Sequence, residues 1–453
     1  MERFDVLVLG GGAAGCVLAS RLSEEPDRTV CLVEAGPDYG PYDEGRWPAD
    51  ILDARQLALD SHCWARDDEQ DRSQLRARIL GGCSAHNACA VLRGPPVDYD
   101  RWGAGWSYDE LAPYLDRGER MLRTRPLEED EVSPWHRAFL AAGGDDGFLL
   151  HVNAVGGVRW NAAFAYLDLV RGRPNLTILA DTLADRVLTE EGRAGGALAG
   201  GRELLADTVV LAASSYGSPA ILLRSGIGPR DELGRHGISA VAELPVGEGL
   251  IDHVGTGVVW EPTERLQREA AEFEREHLLL MGGVMLRGRS RSCPPELFDL
   301  FVFPAIEPGY EISAAAFAMQ PHSRGRVGLT AREPGAPLSI DHGFLGDERD
   351  ADAVTEGFEA LRELIGSDLV KGLVGRELRP GAAIGAADHV RGTARGFFHP
   401  VGTCAIGAVV DERCRVLGFE NLYVADASVM PSIPRVPVHL STIAVAERAS
   451  EWI

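Results

Sequence analysis

The sequence lacks the features that mark several large classes of protein. No apolar stretch of about eighteen residues occurs in the 453-residue chain, so we expect no membrane-spanning helix. Basic residues are outnumbered, with 45 Lys and Arg against 68 Asp and Glu. The resulting net charge of −23 argues against nucleic acid as a partner. Neither an internal repeat nor a long low-complexity linker is present.

Cysteine patterns are also missing. The 8 cysteines have neither the paired spacing of a zinc site nor the density of a disulfide-stabilised scaffold, which predicts reduced thiols and no bound metal. An apolar strand pattern begins within the first few residues and leaves no room for a signal peptide, so we expect a cytoplasmic protein. Hydrophobic and charged contents of 45% and 25% are typical of globular proteins, and the length predicts about two or three domains.

The glycine-rich segment 10–15 is the most informative part of what is present. It follows an apolar run and leads through a helical pattern into a second apolar run that ends at Glu34. The G-x-G-x-x-G spacing allows a tight turn at Gly10, close approach of a pyrophosphate at Gly12 and close helix packing at Gly15. Glu34 is placed to accept hydrogen bonds from a ribose diol. Together these residues predict a dinucleotide site at the start of a helix.

Later strand patterns fall into two groups. Residues 175–190 and 208–213 read as strands of the same unit as the opening motif, whereas the runs between about 254 and 345 indicate a separate sheet. Residues 350–366 have helical periodicity. One nucleotide-binding domain is therefore predicted to be split along the chain, with a sheet domain inserted into it.

Five segments in this order resemble signatures of the glucose–methanol–choline (GMC) oxidoreductases. They are Arg78 to Asn87 continuing through Arg93-Gly94 to Trp102, Gly217 to Gly228, Val246-Gly247 with Asp252-His253, His399 to Cys404, and Asp426 to Pro431. The resemblance spans nearly the whole chain and implies FAD, rather than NAD, at the opening motif. It implies an α/β fold with a discontinuous Rossmann-like FAD-binding domain and an inserted substrate domain built on an antiparallel sheet with helices.

The resemblance and the strand patterns together predict the domain boundaries. The FAD-binding domain is assigned residues 1–150 and 175–253, and the substrate domain residues 151–174 and 254–394. Residues 395–453 return to the FAD-binding domain as its catalytic C-terminal part.

The same resemblance implies which residues contact FAD. These are Gly10, Gly12, Ala13, Ala14, Gly15, Glu34, Ala35, Gly81, Gly82, Ser84, His86, Asn87, Ala88, Cys89, Ala90, Asp426, Ala427, His439 and Leu440. The segment around His86 is similar to the choline oxidase branch, in which the histidine before the asparagine carries FAD covalently. The expectation is therefore a covalent bond through His86, with simple contact between its ring and the flavin as the alternative. Ala88 departs from that branch, which has a serine there.

The implied reaction is oxidation of a small-molecule alcohol to an aldehyde or ketone by hydride transfer to flavin, which needs a base for the hydroxyl proton. Neutral histidine suits that task near pH 7, and the resemblance assigns it to His399. A second catalytic position falls on His439 or on Pro437, depending on the end from which the segment is counted, and we favour His439. Oxygen or another acceptor would then reoxidise the flavin.

Two other reactions are compatible with the same resemblance. Some relatives use the fold for non-redox lyase chemistry on cyanohydrins, and a flavin photodecarboxylase would act on long apolar acids. The final helix is expected to start near Ser441, with its positive end toward the flavin ring. Cys83, Cys89 and Cys404 are expected to be small buried packing residues rather than nucleophiles.

Overall fold

The computed structural model describes residues 2–64 and 74–453. Its strands are β1 (Arg3–Leu9), β2 (Val30–Val33), β3 (Arg125–Pro126), β4 (Gly147–Leu149), β5 (His151–Val152), β6 (Ala154–Val155), β7 (Val158–Arg159), β8 (Leu176–Leu179), β9 (Ala184–Glu190), β10 (Arg193–Ala199), β11 (Arg202–Leu211), β12 (Glu248–Leu250), β13 (Val254–Pro262), β14 (Val284–Gly288), β15 (Leu300–Ile306), β16 (Ile312–Ala318), β17 (Gly325–Leu329), β18 (Leu338–Asp341), β19 (Val374–Arg379), β20 (Arg395–Gly396) and β21 (Leu422–Val424).

Helices connect and cover these strands. They are α1 (Ala13–Leu22), α2 (Ala49–Leu52), α3 (Pro96–Asp100), α4 (Tyr108–Met121), α5 (Pro134–Gly143), α6 (Ser214–Arg224), α7 (Arg230–Arg235), α8 (Glu264–Glu274), α9 (Glu348–Ile365), α10 (Ala386–Thr393) and α11 (His439–Ala449). Within the described ranges, none of the helices has the length and apolarity needed to span a membrane.

The first sheet is built around parallel strands. β8, β2, β1 and β11 pair in that order, all in parallel. β21 pairs in parallel with the end of β11, while β10 and β9 add antiparallel strands beside its beginning. The inner strands are buried on both faces, as expected where helices cover a parallel sheet. The predicted strand–helix–strand unit at the N-terminus is therefore confirmed as β1, α1 and β2.

The second sheet is antiparallel throughout. Its order is β19-β13-β16-β15-β14-β4, and β20 pairs with another part of β13. Helix α9 packs on β13, β15 and β16, and α5 packs on β4, β14 and β15. A separate apolar core belongs to this sheet. The predicted α/β fold, with a Rossmann-like part and an antiparallel sheet with helices, is confirmed.

Two elements pack with a different part of the fold from the one to which the predicted boundaries assign them. β4 belongs to the second sheet, although its residues fall within the segment 1–150. The π-helical turn Ala163–Leu167 packs against α1, although it falls within the segment 151–174. Sheet membership depends on which strands pair across the fold, and the local pattern does not contain that information. The predicted boundaries themselves stay a prediction.

Candidate active site

The turn after β1 has the geometry that the glycine spacing requires. Gly10 has a φ of 108°, and a Cβ there would lie 2.6 Å from the carbonyl oxygen of Ala212. A Cβ on Gly15 would lie 1.8 Å from the carbonyl oxygen of Gly10, so only glycine lets α1 pack this closely. A Cβ on Gly12 would meet a single atom within 4 Å, the Cα of Gly82 at 3.9 Å. Gly12 thus faces open space.

The start of α1 borders that open space. Gly12 is the N-cap residue and supplies no side-chain cap. The backbone N–H groups of Ala13, Ala14 and Gly15 have no partner within the helix, because they belong to its first turn. The positive end of the helix dipole adds to their attraction for an anion. This arrangement suits a pyrophosphate.

Glu34 is tied to the glycine-rich loop by both carboxylate oxygens. Oε2 accepts the Gly11 N–H and Oε1 accepts the Gly36 N–H, each at 2.8 Å. Burial raises the pKa of Glu34 to about 7, against the lowering effect of these backbone donors. Each oxygen keeps a further lone pair that can accept a ribose hydroxyl. The neighbouring Ala35 is buried, and its carbonyl accepts from Arg78 Nε at 3.0 Å.

The second glycine-rich segment packs directly on the first. The Gly81 N–H donates to the Gly11 carbonyl at 2.8 Å. Ser84 Oγ donates to the Gly81 carbonyl at 2.6 Å and accepts the Ala162 N–H at 2.9 Å. Its hydroxyl proton is thus engaged within the protein and is not available to donate to a cofactor.

The residues after His86 turn toward the second sheet. Asn87 Oδ1 accepts the Cys89 N–H at 3.0 Å, and Cys89 has a φ of 60°. The Cys89 side chain is buried in the core of the second sheet, with Ala88 and Ala90 packed against that core. The Cys89 thiol therefore belongs to the packing, as predicted.

His86 is buried with one ring nitrogen unsatisfied. The residue is 5% exposed, and Nε2 of its ring has no hydrogen-bond partner among the described residues. Burial lowers the pKa of His86 to about 4, with smaller contributions from Arg159 and His62. The imidazole is therefore neutral near pH 7.

The prediction for the cysteines is right for Cys404, which is buried, but wrong for Cys83, which is exposed. Cys83 lies in the 3-10 turn Gly82–Ala85, and its sulfur accepts the Ala77 N–H at 3.4 Å. All 8 cysteines are free thiols. Burial raises the pKa of the Cys404 thiol, so it is not a ready nucleophile.

Asp426 is also engaged by the protein. Oδ2 accepts the Ser214 N–H at 2.8 Å and the Ser218 hydroxyl at 2.6 Å, while Oδ1 accepts the Ser428 N–H at 2.8 Å. The residue is 1% exposed, and burial raises its pKa. Asp426 joins the start of α6 to the turn after β21, and Ala427 follows it in a buried 3-10 turn.

His399 lies on a loop held by Asp252. The preceding Phe398 has a φ of 63°, in the left-handed region that is costly for a non-glycine residue. Asp252 Oδ1 accepts the His399 N–H at 2.9 Å. Burial raises the pKa of Asp252 to about 7. This carboxyl group holds the backbone turn that presents the His399 ring.

His253 is the partner of His399, although no role was predicted for it from the sequence. Its Nδ1 lies 2.9 Å from Nδ1 of His399, and its Nε2 lies 3.0 Å from the Pro434 carbonyl oxygen. His253 is fully buried, and burial lowers its pKa to about 3. Burial and the neighbouring His253 lower the pKa of His399 well below its ordinary value. The Asp-His pair in the segment beginning at Val246 was the signal that could have identified His253.

His439, which we favour for the second catalytic position, is not hydrogen-bonded to His399 in the described part of the chain. His439 begins α11, two residues before the predicted start at Ser441, and burial lowers its pKa to about 4. In the part of the chain that the structure describes, its buried Nε2 has no hydrogen-bond partner. Across residues 2–64 and 74–453, no hydrogen bond or ring contact links His439 to His399 or His253. Pro437 is buried in the same segment, with Leu440 just beyond.

Asp252, His253 and His399 place potential metal-ligating atoms within 4.8 Å of one another. The two Nδ1 atoms contact each other, and Oδ1 of Asp252 accepts the His399 backbone N–H, whereas Oδ2 of Asp252 has no partner among the described residues. The geometry of this cluster therefore suits proton handling better than metal coordination.

Comparison with known proteins agrees with this geometry. Residues 4–255 and 321–446 match the N-terminal and C-terminal models of the GMC oxidoreductases. An oxygen-dependent choline dehydrogenase of Brucella anthropi is 30% identical, covering 99% of this chain and 95% of the relative. Pyridoxine 4-oxidase of Microbacterium luteolum is 31% identical, covering 99% of both chains. The crystal structure of pyridoxine 4-oxidase from Mesorbium loti superposes with a TM-score of 0.87 at 30% identity, covering 99% of both chains.

The chain therefore belongs to the GMC oxidoreductase family. It is a flavoenzyme of the alcohol oxidase or dehydrogenase type, acting on CH–OH donors. FAD is its cofactor, and the described residues fit it. Among them, Gly12 faces open space beside unpaired helix N–H groups, and buried nitrogens of His86 and His439 lack partners.

Proposed function

We propose that this enzyme oxidises an alcohol to an aldehyde or ketone with Nε2 of His399 as the base. The observation that carries the proposal is the His253–His399 pair, which engages Nδ1 of His399 at 2.9 Å. Among the described residues, Nε2 of His399 has no hydrogen-bond partner. A neutral ring with one free nitrogen can accept the hydroxyl proton of a substrate.

Bound FAD supplies the acceptor for the hydride. His399 takes the hydroxyl proton, while Asp252 and His253 keep its ring in place through the contacts described above. His439, with its unpaired buried Nε2, is the favoured second catalytic group, and the alternative assigns that position to Pro437. Either oxygen or another acceptor then removes the electrons, and the reoxidation rate under air distinguishes the two.

Aromatic rings near His399 support an alcohol with an apolar or aromatic body. The Phe397 ring lies 4.7 Å from His399 and stacks on Phe317 at 3.9 Å. Phe317 pairs across the sheet with Phe301, which lines a cavity of about 690 Å³. This row of rings leads from the cavity toward the base, and we propose it as the substrate side of the site.

For the cofactor bond, we propose covalent attachment of FAD through His86, because its Nε2 is buried, neutral and unpaired. After acid denaturation the yellow chromophore should stay with the protein pellet. His86→Ala should release it while FAD still binds. A colourless wild-type pellet with intact FAD in solution would leave only contact between ring and flavin.

A cytoplasmic location is proposed as well, since the 8 free cysteines suit a reducing compartment. Fractionation of cells expressing the protein at its native level would test the location: activity in the periplasmic or secreted fraction would contradict it.

Product analysis tests the reaction. The holoenzyme is incubated with choline, pyridoxine, benzylic and aliphatic alcohols, with a cyanohydrin, and with a fatty acid under blue light. We expect an aldehyde or ketone from at least one alcohol. Cyanide release without flavin reduction would favour the lyase alternative, and light-dependent loss of CO₂ the photodecarboxylase.

A further inference from the structure

We propose that His253 is a positioning residue. Its ring keeps the proton of His399 on Nδ1, so that the lone pair of Nε2 faces the substrate. This inference rests on the proposed function, since it explains how His399 acts as a base. Its starting point is the contact between two Nδ1 atoms at 2.9 Å, in which one ring must donate and the other must accept.

The Pro434 carbonyl decides which ring donates. A carbonyl oxygen only accepts, so the contact at 3.0 Å requires a proton on Nε2 of His253. His253 is fully buried, and no carboxylate of the described residues is hydrogen-bonded to its ring, so the ring stays neutral. Its Nδ1 is therefore an acceptor, and Nδ1 of His399 must donate. If Nδ1 of neutral His253 donated instead, the Nε2 lone pair of His253 would face a lone pair of the Pro434 carbonyl oxygen.

The segment that carries this carbonyl is held from three directions. Trp102 Nε1 donates to the Ser432 carbonyl at 3.0 Å, and Gln320 Nε2 donates to the Ile433 carbonyl at 2.7 Å. On the other side, the Arg435 N–H donates to Asp98 Oδ2 at 2.7 Å. The Pro434 oxygen between these anchors cannot turn away without breaking several buried hydrogen bonds.

The anchor at Arg435 is an ion pair in the interior. Its guanidinium contacts the Asp98 carboxylate, and the two side chains are 4% and 1% exposed. Removing one member would leave the other charge buried and unpaired, which is strongly unfavourable. Asp98 comes from α3, so a residue far from the base in sequence fixes the direction of the carbonyl that orients His253.

The consequence for the base is specific. Protonation of His399 at Nε2 keeps the Nδ1–H bond to His253 intact, so the ring does not have to turn during the reaction. The other tautomer of His399 would place its Nδ1 lone pair against that of His253. Catalytic histidines held in the wrong tautomer lose up to about 10⁴-fold in rate.

The test uses the holoenzyme with ¹⁵N-labelled histidine. The signals of His399 are assigned by their loss in His399→Gln. We expect Nδ1 protonated and Nε2 unprotonated for His399, and the reverse for His253. A wild-type spectrum with the proton on Nε2 of His399 would overturn the proposal, whatever the rate of the enzyme.

Two variants separate positioning from packing. His253→Leu removes the acceptor and should lower the rate of flavin reduction by about 10- to 10⁴-fold with little change in substrate KM, and it should move His399 toward the Nε2-protonated form. His253→Asn keeps an oxygen where Nδ1 stood and should recover part of the rate and the wild-type tautomer. Equal rates and equal spectra for the two variants, with equal FAD content, would overturn the proposal.

These measurements also separate this inference from the proposed function. If His399→Gln reduces flavin at the wild-type rate, the base assignment fails, while the proton positions remain as the spectrum gives them. If His399→Gln is slow but the wild-type spectrum shows the opposite tautomer of His399, the proposed function stands and the role of His253 fails.

Discussion

Around the glycine-rich loop, the polar side chains receive hydrogen bonds from the protein itself, whereas around the histidine pair one nitrogen is left free. Glu34, Ser84 and Asp426 use their oxygens to bind neighbouring backbone and hydroxyl groups. His399 engages only Nδ1 of its ring, through His253. We propose that the first region holds FAD by shape and by backbone donors, and that the second keeps a ring nitrogen unsatisfied for chemistry.

The largest effect is expected from His399→Ala. Loss of a positioned base should slow flavin reduction by about 10²–10⁴-fold, while FAD content and melting temperature stay close to wild type. Anaerobic stopped-flow measurement with a good alcohol substrate gives the rate. His322→Ala, at an exposed histidine, is the matched control and should reduce flavin normally. A His399 variant as fast as this control would remove the base from the mechanism.

The glycine-rich loop offers a matched pair that separates binding from folding. Gly12→Ala places a methyl group in the open space beside α1 and should lower FAD content after purification without lowering the melting temperature of the FAD-free protein. Gly15→Ala overlaps the Gly10 carbonyl and should cost about 1–3 kcal/mol of stability. Flavin absorbance measures the FAD content, and thermal melts measure the stability. Normal FAD content in Gly12→Ala would contradict recognition by shape.

A smaller effect is expected from Glu34→Ala. The change removes an acceptor for two backbone N–H groups and the predicted bond to the ribose, so FAD affinity should fall by about 1.5–3 kcal/mol. Titration of FAD into deflavinated protein measures it, in the His86→Ala background so that no covalent bond interferes. Unchanged affinity would mean that Glu34 serves the loop alone.

The smallest effect concerns the pH dependence of stability in the same FAD-free background. The pKa of Glu34 is raised to about 7 in the folded protein, above its ordinary value, so the folded state holds this proton more tightly. Its contribution to stability is therefore complete at pH values below the unfolded pKa and is lost as pH rises through 7. Between pH 4.5 and 8, wild type should lose stability relative to Glu34→Gln in denaturant titrations. Parallel curves for the two proteins would show that Glu34 is ionised throughout.

The contrast also explains what could be predicted from the sequence. β1, α1, β2 and the turn at Gly10 follow from local periodicity and glycine spacing, so they were predicted correctly. The role of His253 depends on contacts with His399 and Pro434, which are remote in sequence and meet only in the fold. Local patterns likewise gave no reason to place β4 in the second sheet, because strand pairing decides that.

The most direct test of the account is anaerobic mixing of the wild-type flavoprotein with a panel of alcohols. If His399 and bound FAD work as proposed, at least one alcohol bleaches the oxidised flavin absorbance in a single turnover and yields one equivalent of aldehyde or ketone. A substrate deuterated at the carbinol carbon should bleach it more slowly. An oxidised spectrum that stays unchanged with every alcohol, in protein that retains full FAD and native melting, would contradict the account.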